Sequence, residues 1–213
     1  IIMVMALKPI YDLAKIKRVI VSTYQAVSGA GKEGIDELDA QVRDHSEGRE
    51  MTANILPSAS AEKHYPIAFN LIPQIDVFCD NLYTKEEMKM VNETKKIMED
   101  YEMRITATTI RVPVYRSHSE SVNIELEKEV DLGAMREALA KFPGVTVQDD
   151  PSKQEYPMPL YTSEKDDVYV GRLRRDESCE KSYNMWVVGD QIRKGAALNT
   201  LQIAETMIKN GWI

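Results

Sequence analysis

ATTIRVPVYRSHSESVNIELEK, residues Ala107 to Lys128, is rich in Thr, Ile, Val and Tyr. Apolar residues alternate at Ile110, Val112 and Val114 and again at Val122, Ile124 and Leu126. That period of two predicts paired strands with one buried face. Arg111, Arg116 and His118 interrupt the alternation. On one uninterrupted strand Arg111 and His118 point to opposite faces, so they converge only if the chain bends around Pro113 or Ser117. Strand Arg and His residues mostly decorate solvated faces; an Arg and a His beside a bend are also the makings of a site.

The 213 residues suffice for a substantial core without disulfides or metal. Hydrophobic residues make up 43% and charged residues 29%, the balance of a folded globular chain. A formal charge of −7 with no long basic cluster argues against a nucleic-acid surface, while leaving room for a small cationic pocket. Cys79 and Cys179 lack metal-ligand spacing and His45, His64 and His118 are scattered, so no metal site is expected. This cysteine usage fits a reducing cytoplasm. The opening IIMVMAL is too short for a membrane span and is not flanked like a signal peptide.

Residues 1–16 carry a helical apolar pattern from the first position, with nothing before it to cap the free amides. The expectation is that the chain is the later part of something longer. A strand over Arg18 to Tyr24 runs into a small-residue loop, Ala26 to Gly34. Its SGAGKEG matches no nucleotide fingerprint but suits close approach to a ligand. A helix over Ile35 to Asp44, a polar excursion over Ser46 to Lys63 and the Pro73-interrupted PIAFNLIPQIDV follow. Thr84 and Glu87 form a capping box for the next helix, on which Glu86 and Lys89 are surface neighbours.

Beyond the opening stretch, Asp131 caps a helix over Leu132 to Lys141. Strands are expected at Val145 to Val147, Asp167 to Arg175 and Asn184 to Val188, and a last helix over Gln191 to Lys209. Helices that do not alternate with strands define an α+β class: a mixed, largely antiparallel sheet with helices on one face.

Six collinear segments, YQAVSGAG (24–31), FNLIPQID (69–76), YTKEEMKMVNETKKI (83–97), RVPVYRSHSE (111–120), VGRLRRD (170–176) and WVVGDQIRKGAALN (186–199), together resemble the aspartate-semialdehyde dehydrogenase family. The resemblance implies a C-terminal domain like that of glyceraldehyde-3-phosphate dehydrogenase. The implied activity is NADPH-dependent conversion of aspartyl phosphate to aspartate semialdehyde and phosphate, through a cysteine thioester, in lysine, threonine and methionine biosynthesis. The family's Asn-Cys-Ser-Thr segment falls about three residues before Ile1 by this likeness, at a helix start that favours a thiolate.

Carried over position by position, the resemblance makes His118 the acid/base group and Arg111 the grip on the substrate carboxylate. Gln25 orients the acyl group, and Lys89 with Glu86 forms the phosphate subsite. Ser28, Gly29 and Gln191 approach the NADP cofactor. It implies a catalytic and dimerisation domain over residues 1–189 and, over 190–213, a C-terminal helix that returns to a dinucleotide-binding domain with no counterpart in these residues. The 213 residues alone are then expected to be inactive. The partners implied are the small-molecule substrate and a second copy, as a homodimer or dimer of dimers. Two other readings stand beside this one: an N-acetyl-glutamyl-phosphate reductase-like enzyme, and a non-catalytic dimerisation module.

Overall fold

The computed structural model describes residues 1–213. Its sheet has six strands: β1 (Ile16–Gln25), β2 (Arg104–Arg111), β3 (His118–Leu126), β4 (Val145–Val147), β5 (Val168–Arg175) and β6 (Ser182–Gly189). Their spatial order is β2-β1-β3-β6-β5-β4. β1 pairs with β2 and β4 with β5 in parallel; the remaining three pairings are antiparallel.

On one face the core is built by Val122, Ile124 and Leu126 of β3, Ile16, Val19 and Val21 of β1, and Tyr183, Met185 and Val187 of β6. Against this face pack α1 (Ile2–Leu13), α3 (Lys85–Met98) and α4 (Leu132–Lys141), whose Ala6, Leu7, Ile10, Met98, Met135 and Leu139 complete one continuous core. The opposite face carries Ser22, Tyr24, Ser121, Asn123, Asn184 and Trp186, with Tyr24 and Trp186 ring centroids 5.5 Å apart. The expected mixed sheet with helices on one face is therefore the architecture observed.

Two expectations about residues 107–128 need correction. β2 and β3 do not pair with each other, because β1 lies between them, parallel to one and antiparallel to the other. A sequence pattern reports which face is buried, not which strand is the neighbour. In β2 the buried set is also Ala107, Thr109 and Arg111 rather than the phase of Ile110.

The helix start signals hold. Thr84 and Glu87 form the capping box at α3, and Asp131 accepts from the Ala134 amide at α4. After a turn over Val27–Ala30, α2 (Lys32–Ser46) anchors the excursion that follows. Buried Gln41 accepts from the amides of Ile67 (2.8 Å) and Ala68 (3.0 Å) and donates to Thr52 O at 2.8 Å. That one side chain satisfies three backbone groups in a segment with no ladder of its own. A short α5 (Pro159–Thr162) precedes β5. The last helix is shorter than expected: a π turn over Arg193–Ala197 leads into α6 (Leu198–Lys209), whose Leu201, Ile203 and Ile208 are exposed. No helix is long and apolar enough to cross a membrane.

Candidate active site

The carboxyl end of β1 organises the site. Gln25 is in register with Arg111 on β2, and Tyr24 pairs with Ser119 on β3, so the end of one neighbour and the start of the other flank the same spot. Arg111 and His118 thus converge because the chain crosses over β1 between them, not because one ribbon kinks. Ser117 makes the turn into β3 with φ 69°, the left-handed region that side chains seldom adopt.

The backbone of Ala26 joins the two side chains. Arg111 Nη1 donates to the Ala26 carbonyl at 2.7 Å, and the Ala26 N–H donates to His118 Nδ1 at 3.1 Å. Gly29 lies against this pair. A Cβ there would stand 2.5 Å from Arg111 Nη1 and 3.4 Å from His118 Cε1. Close approach, rather than a phosphate loop, is what this glycine serves.

Gln25, 7% exposed, donates from Nε2 to Glu86 Oε1 at 3.1 Å, and Lys89 Nζ is 3.5 Å from Glu86 Oε2. The Glu86–Lys89 neighbours are therefore not an isolated surface pair, since Glu86 reaches down to β1. Glu87, one residue on, accepts from the Thr109 amide at 3.0 Å and so fastens α3 to the edge strand that carries Arg111. Gln191 donates to Ser28 Oγ at 2.6 Å and accepts from the Ser117 amide at 3.2 Å.

A cavity of about 410 Å³ is lined by Gln25, Gly29, Glu86, Lys89, Arg111, His118 and Gln191. Of the site residues the resemblance implies, only Ser28 is not on its wall, and it is bonded to Gln191, which is. Arg116 turns elsewhere, to Glu164 and to fully buried Asp190, each at 2.9 Å. Neither Cys79 nor Cys179 reaches the cavity.

Burial lowers the Arg111 pKa to about 10, partly offset by Glu86, and leaves it charged at neutral pH. Desolvation, then the charges of Arg111 and Lys89, push His118 down to about 3. Its ring is neutral at pH 7. Because Nδ1 accepts from Ala26, the neutral ring carries its proton on Nε2.

Sequence reasoning missed three contributors. Ala26 acts through its backbone, which no residue pattern reveals. The first turn of α1 borders the cavity through Ile1 to Val4. Glu120 also lines it, 6% exposed, and its position two after His118 on the same strand face was a usable signal.

The family model described as semialdehyde dehydrogenase, dimerisation domain, matches residues 7–194, and the chain belongs to that family. Within it, the chain is similar to aspartate-semialdehyde dehydrogenases. It is 53% identical to that of Aquifex aeolicus over 99% of this chain and 60% of the relative. It is 50% identical to that of Bacillus subtilis, over 97% and 60%. Aspartate semialdehyde dehydrogenase II of Vibrio cholerae, also solved complexed with ASA, superposes with a TM-score of 0.90 at 43% identity, covering 98% of this chain and 59% of that one. The chain thus spans about 60% of the length of the relatives it matches.

Proposed function

We propose that this chain is the substrate-binding and dimerisation part of an NADP-dependent aspartate-semialdehyde dehydrogenase, converting aspartyl phosphate to aspartate semialdehyde and phosphate. One observation carries the reading: Ala26 ties Arg111 and His118 together beside Gln25, on a cavity that also takes Glu86 and Lys89. Similarity to an enzyme solved complexed with ASA supports the substrate class.

Arg111 presents a charged planar fork to the substrate carboxylate, its position set by the Ala26 carbonyl. Gln25 orients the acyl carbonyl, and Glu86 holds the Gln25 amide in place. Lys89, more than half exposed at the cavity rim, meets the phosphate as it leaves. His118 offers Nε2–H, so in this arrangement it acts first as a donor to oxygen charge developing on the substrate. Taking a proton at Nε2 needs the other tautomer and the loss of the Ala26 contact.

The nucleophile we assign is a thiol carried just before Ile1, where helix α1 opens onto the cavity and its free amides favour an anion. Bare backbone at Gly29 and the linked side chains of Ser28 and Gln191 leave a lip suited to the nicotinamide end of NADP. That cofactor supplies the hydride. Residues 1–189 form the catalytic and dimerisation unit in this proposal. The segment from 190 to 213 uses the exposed Leu201, Ile203 and Ile208 of α6 against a dinucleotide-binding domain, without which we expect no turnover. The open sheet face, with Tyr24 and Trp186, pairs with a second copy to give a homodimer, singly or as a dimer of dimers. The place of action is the cytoplasm, in biosynthesis of the aspartate-derived amino acids lysine, threonine and methionine.

The test is phosphate-dependent oxidation of aspartate semialdehyde by the full-length protein with NADP, against the N-acetylated glutamate analogue. Turnover of the first alone is expected. Turnover of the second alone would overturn the substrate, and turnover of neither would overturn the enzyme.

A further inference from the structure

The two charged ends of the proposed substrate are met by different elements. Arg111, for the carboxylate, closes β2, and Lys89, for the phosphate, rides on α3. β2 is an edge strand, with no further strand of the sheet beyond it. Its last outward amides nonetheless have partners: that of Arg111 donates to the Ile72 carbonyl at 2.9 Å, and that of Thr109 to Glu87 Oε1 at 3.0 Å. At Thr109 a carboxyl group stands where a neighbouring strand would.

Glu87 divides its two oxygens between the elements. Oε1 holds Thr109, and Oε2 accepts from the Thr84 amide at 2.8 Å, at the start of α3. The side chain is 8% exposed and is not on the cavity wall, whereas Glu86 just before it and Lys89 just beyond it are. Thr109 and Arg111 are both buried and share one face of β2. One buried carboxyl group therefore spans from the helix that carries Lys89 to the strand that carries Arg111. The other polar contacts across this junction, Tyr83 with Thr106 at 3.0 Å and Thr84 with Thr109 at 3.5 Å, run from hydroxyl to hydroxyl and reach no main chain.

We propose that Glu87 is a positioning residue that sets the span between Arg111 and Lys89, and with it the length of substrate the cavity accepts. The identity of the two substrate ends rests on the proposed function. Aspartate should not replace Glu87: one methylene shorter, its carboxyl group cannot bond Thr84 and still reach Thr109. Loss of the tie leaves a buried amide of the edge strand without an acceptor and lets α3 shift against β2. A longer ligand then fits nearly as well as the right one.

The experiment uses the full-length protein with NADP and two stable probes. One is the linear α-amino acid with a terminal phosphonate on a pentanoate chain, whose phosphorus lies as many bonds from the carboxylate as in aspartyl phosphate. The other is its hexanoate homologue, one methylene longer. Calorimetric affinities are measured for the parent, E87D and T84A, together with hydrogen exchange along β2. The parent should prefer the shorter probe roughly tenfold. E87D should bind that probe about tenfold more weakly, reduce the preference to within about threefold, and speed exchange at Thr109. T84A removes the hydroxyl that accepts from the Glu87 amide at 3.2 Å, so it weakens the same helix start while leaving both Glu87 oxygens their amides. It should keep the parent's preference and the parent's exchange at Thr109. A parent that binds both probes alike would overturn the proposal, as would an E87D with the parent's preference or a T84A that loses it equally. If the parent binds neither probe, the proposed function fails, and exchange still decides the tie: a rate at Thr109 no faster in E87D than in T84A would overturn it.

Discussion

Arg111 and His118 are held by the two polar groups of a single residue, the carbonyl and the amide of Ala26, at 2.7 and 3.1 Å. Neither side chain sets its own position. The end of β1 sets both, so a disturbance of residues 25–29 should be felt at the two groups together.

Substituting R111K keeps the charge but loses the fork that bonds Ala26 while facing the cavity. Steady-state kinetics of the full-length protein should show kcat/KM for aspartate semialdehyde reduced roughly tenfold to a hundredfold, as for loss of a charge-assisted hydrogen bond. A variant within twofold of the parent would contradict the assigned grip.

In G29A the new methyl group must displace the Arg111 guanidinium, because it would lie 2.5 Å from Nη1. The overlap is with the tip of a side chain, so the cost in stability should stay near the low end of overpacking, about 1 kcal/mol. Thermal unfolding should shift little while KM for the substrate rises. A fall in melting temperature with unaltered KM would show that Gly29 matters for packing alone.

The carboxyl of Glu120 titrates near 7 in the folded protein against an ordinary 4.5. A raised carboxyl contributes stability below pH 4.5, and this is lost as pH rises through about 7. E120Q does not titrate, so its stability relative to the parent should climb between pH 4.5 and 7 and level off above. The gain, read by denaturant unfolding across that range, should be on the order of 1 to 3 kcal/mol. His118, depressed to about 3, opposes this with a loss of stability below pH 6.5. It is common to both proteins and cancels in the difference.

Fully buried Asp190 binds Arg116 at 2.9 Å and accepts from the amides of Glu164 (2.7 Å) and Ile192 (2.9 Å). Its removal in D190A leaves the partly buried Arg116, whose Nε already lacks a partner, with only the exposed Glu164, and takes the acceptor from both amides. A loss of roughly 3 to 5 kcal/mol is expected, or about 10 °C in melting temperature for a chain of this size. Calorimetry showing less than about 1 kcal/mol would mean that water replaces the carboxylate.

Trp186 stands on the open sheet face beside Tyr24. Light scattering at micromolar concentration should give a dimer for the full-length protein and a monomer for W186K, which places a charge in the sheet-to-sheet contact. A monomeric parent would remove the basis for the pairing.

Much of this molecule was legible in the residues themselves. The capping box at Thr84 and Glu87, the Asp131 cap and the alternation through Val122, Ile124 and Leu126 are local signals, and each marks the element it announces. Arg111, His118, Gln25, Glu86, Lys89 and Gln191 came from the likeness of six segments to a family, and one cavity holds them. Strand neighbours were not legible. Residues 104–111 and 118–126 look like a hairpin because both alternate, yet β1 divides them, since pairing depends on which strand lies nearest after collapse.

By itself, then, the sequence determined the elements, the one-sided sheet and the residue types of the site, because caps and periodicity act over a few positions along the chain. Only the tertiary structure decided that Ala26 bridges an arginine and a histidine through its backbone, and that Glu120 lies buried on the cavity wall with a carboxyl oxygen that has no partner. Main-chain groups are the same at every residue. What they bond to is set by the register of strands brought together from distant parts of the chain.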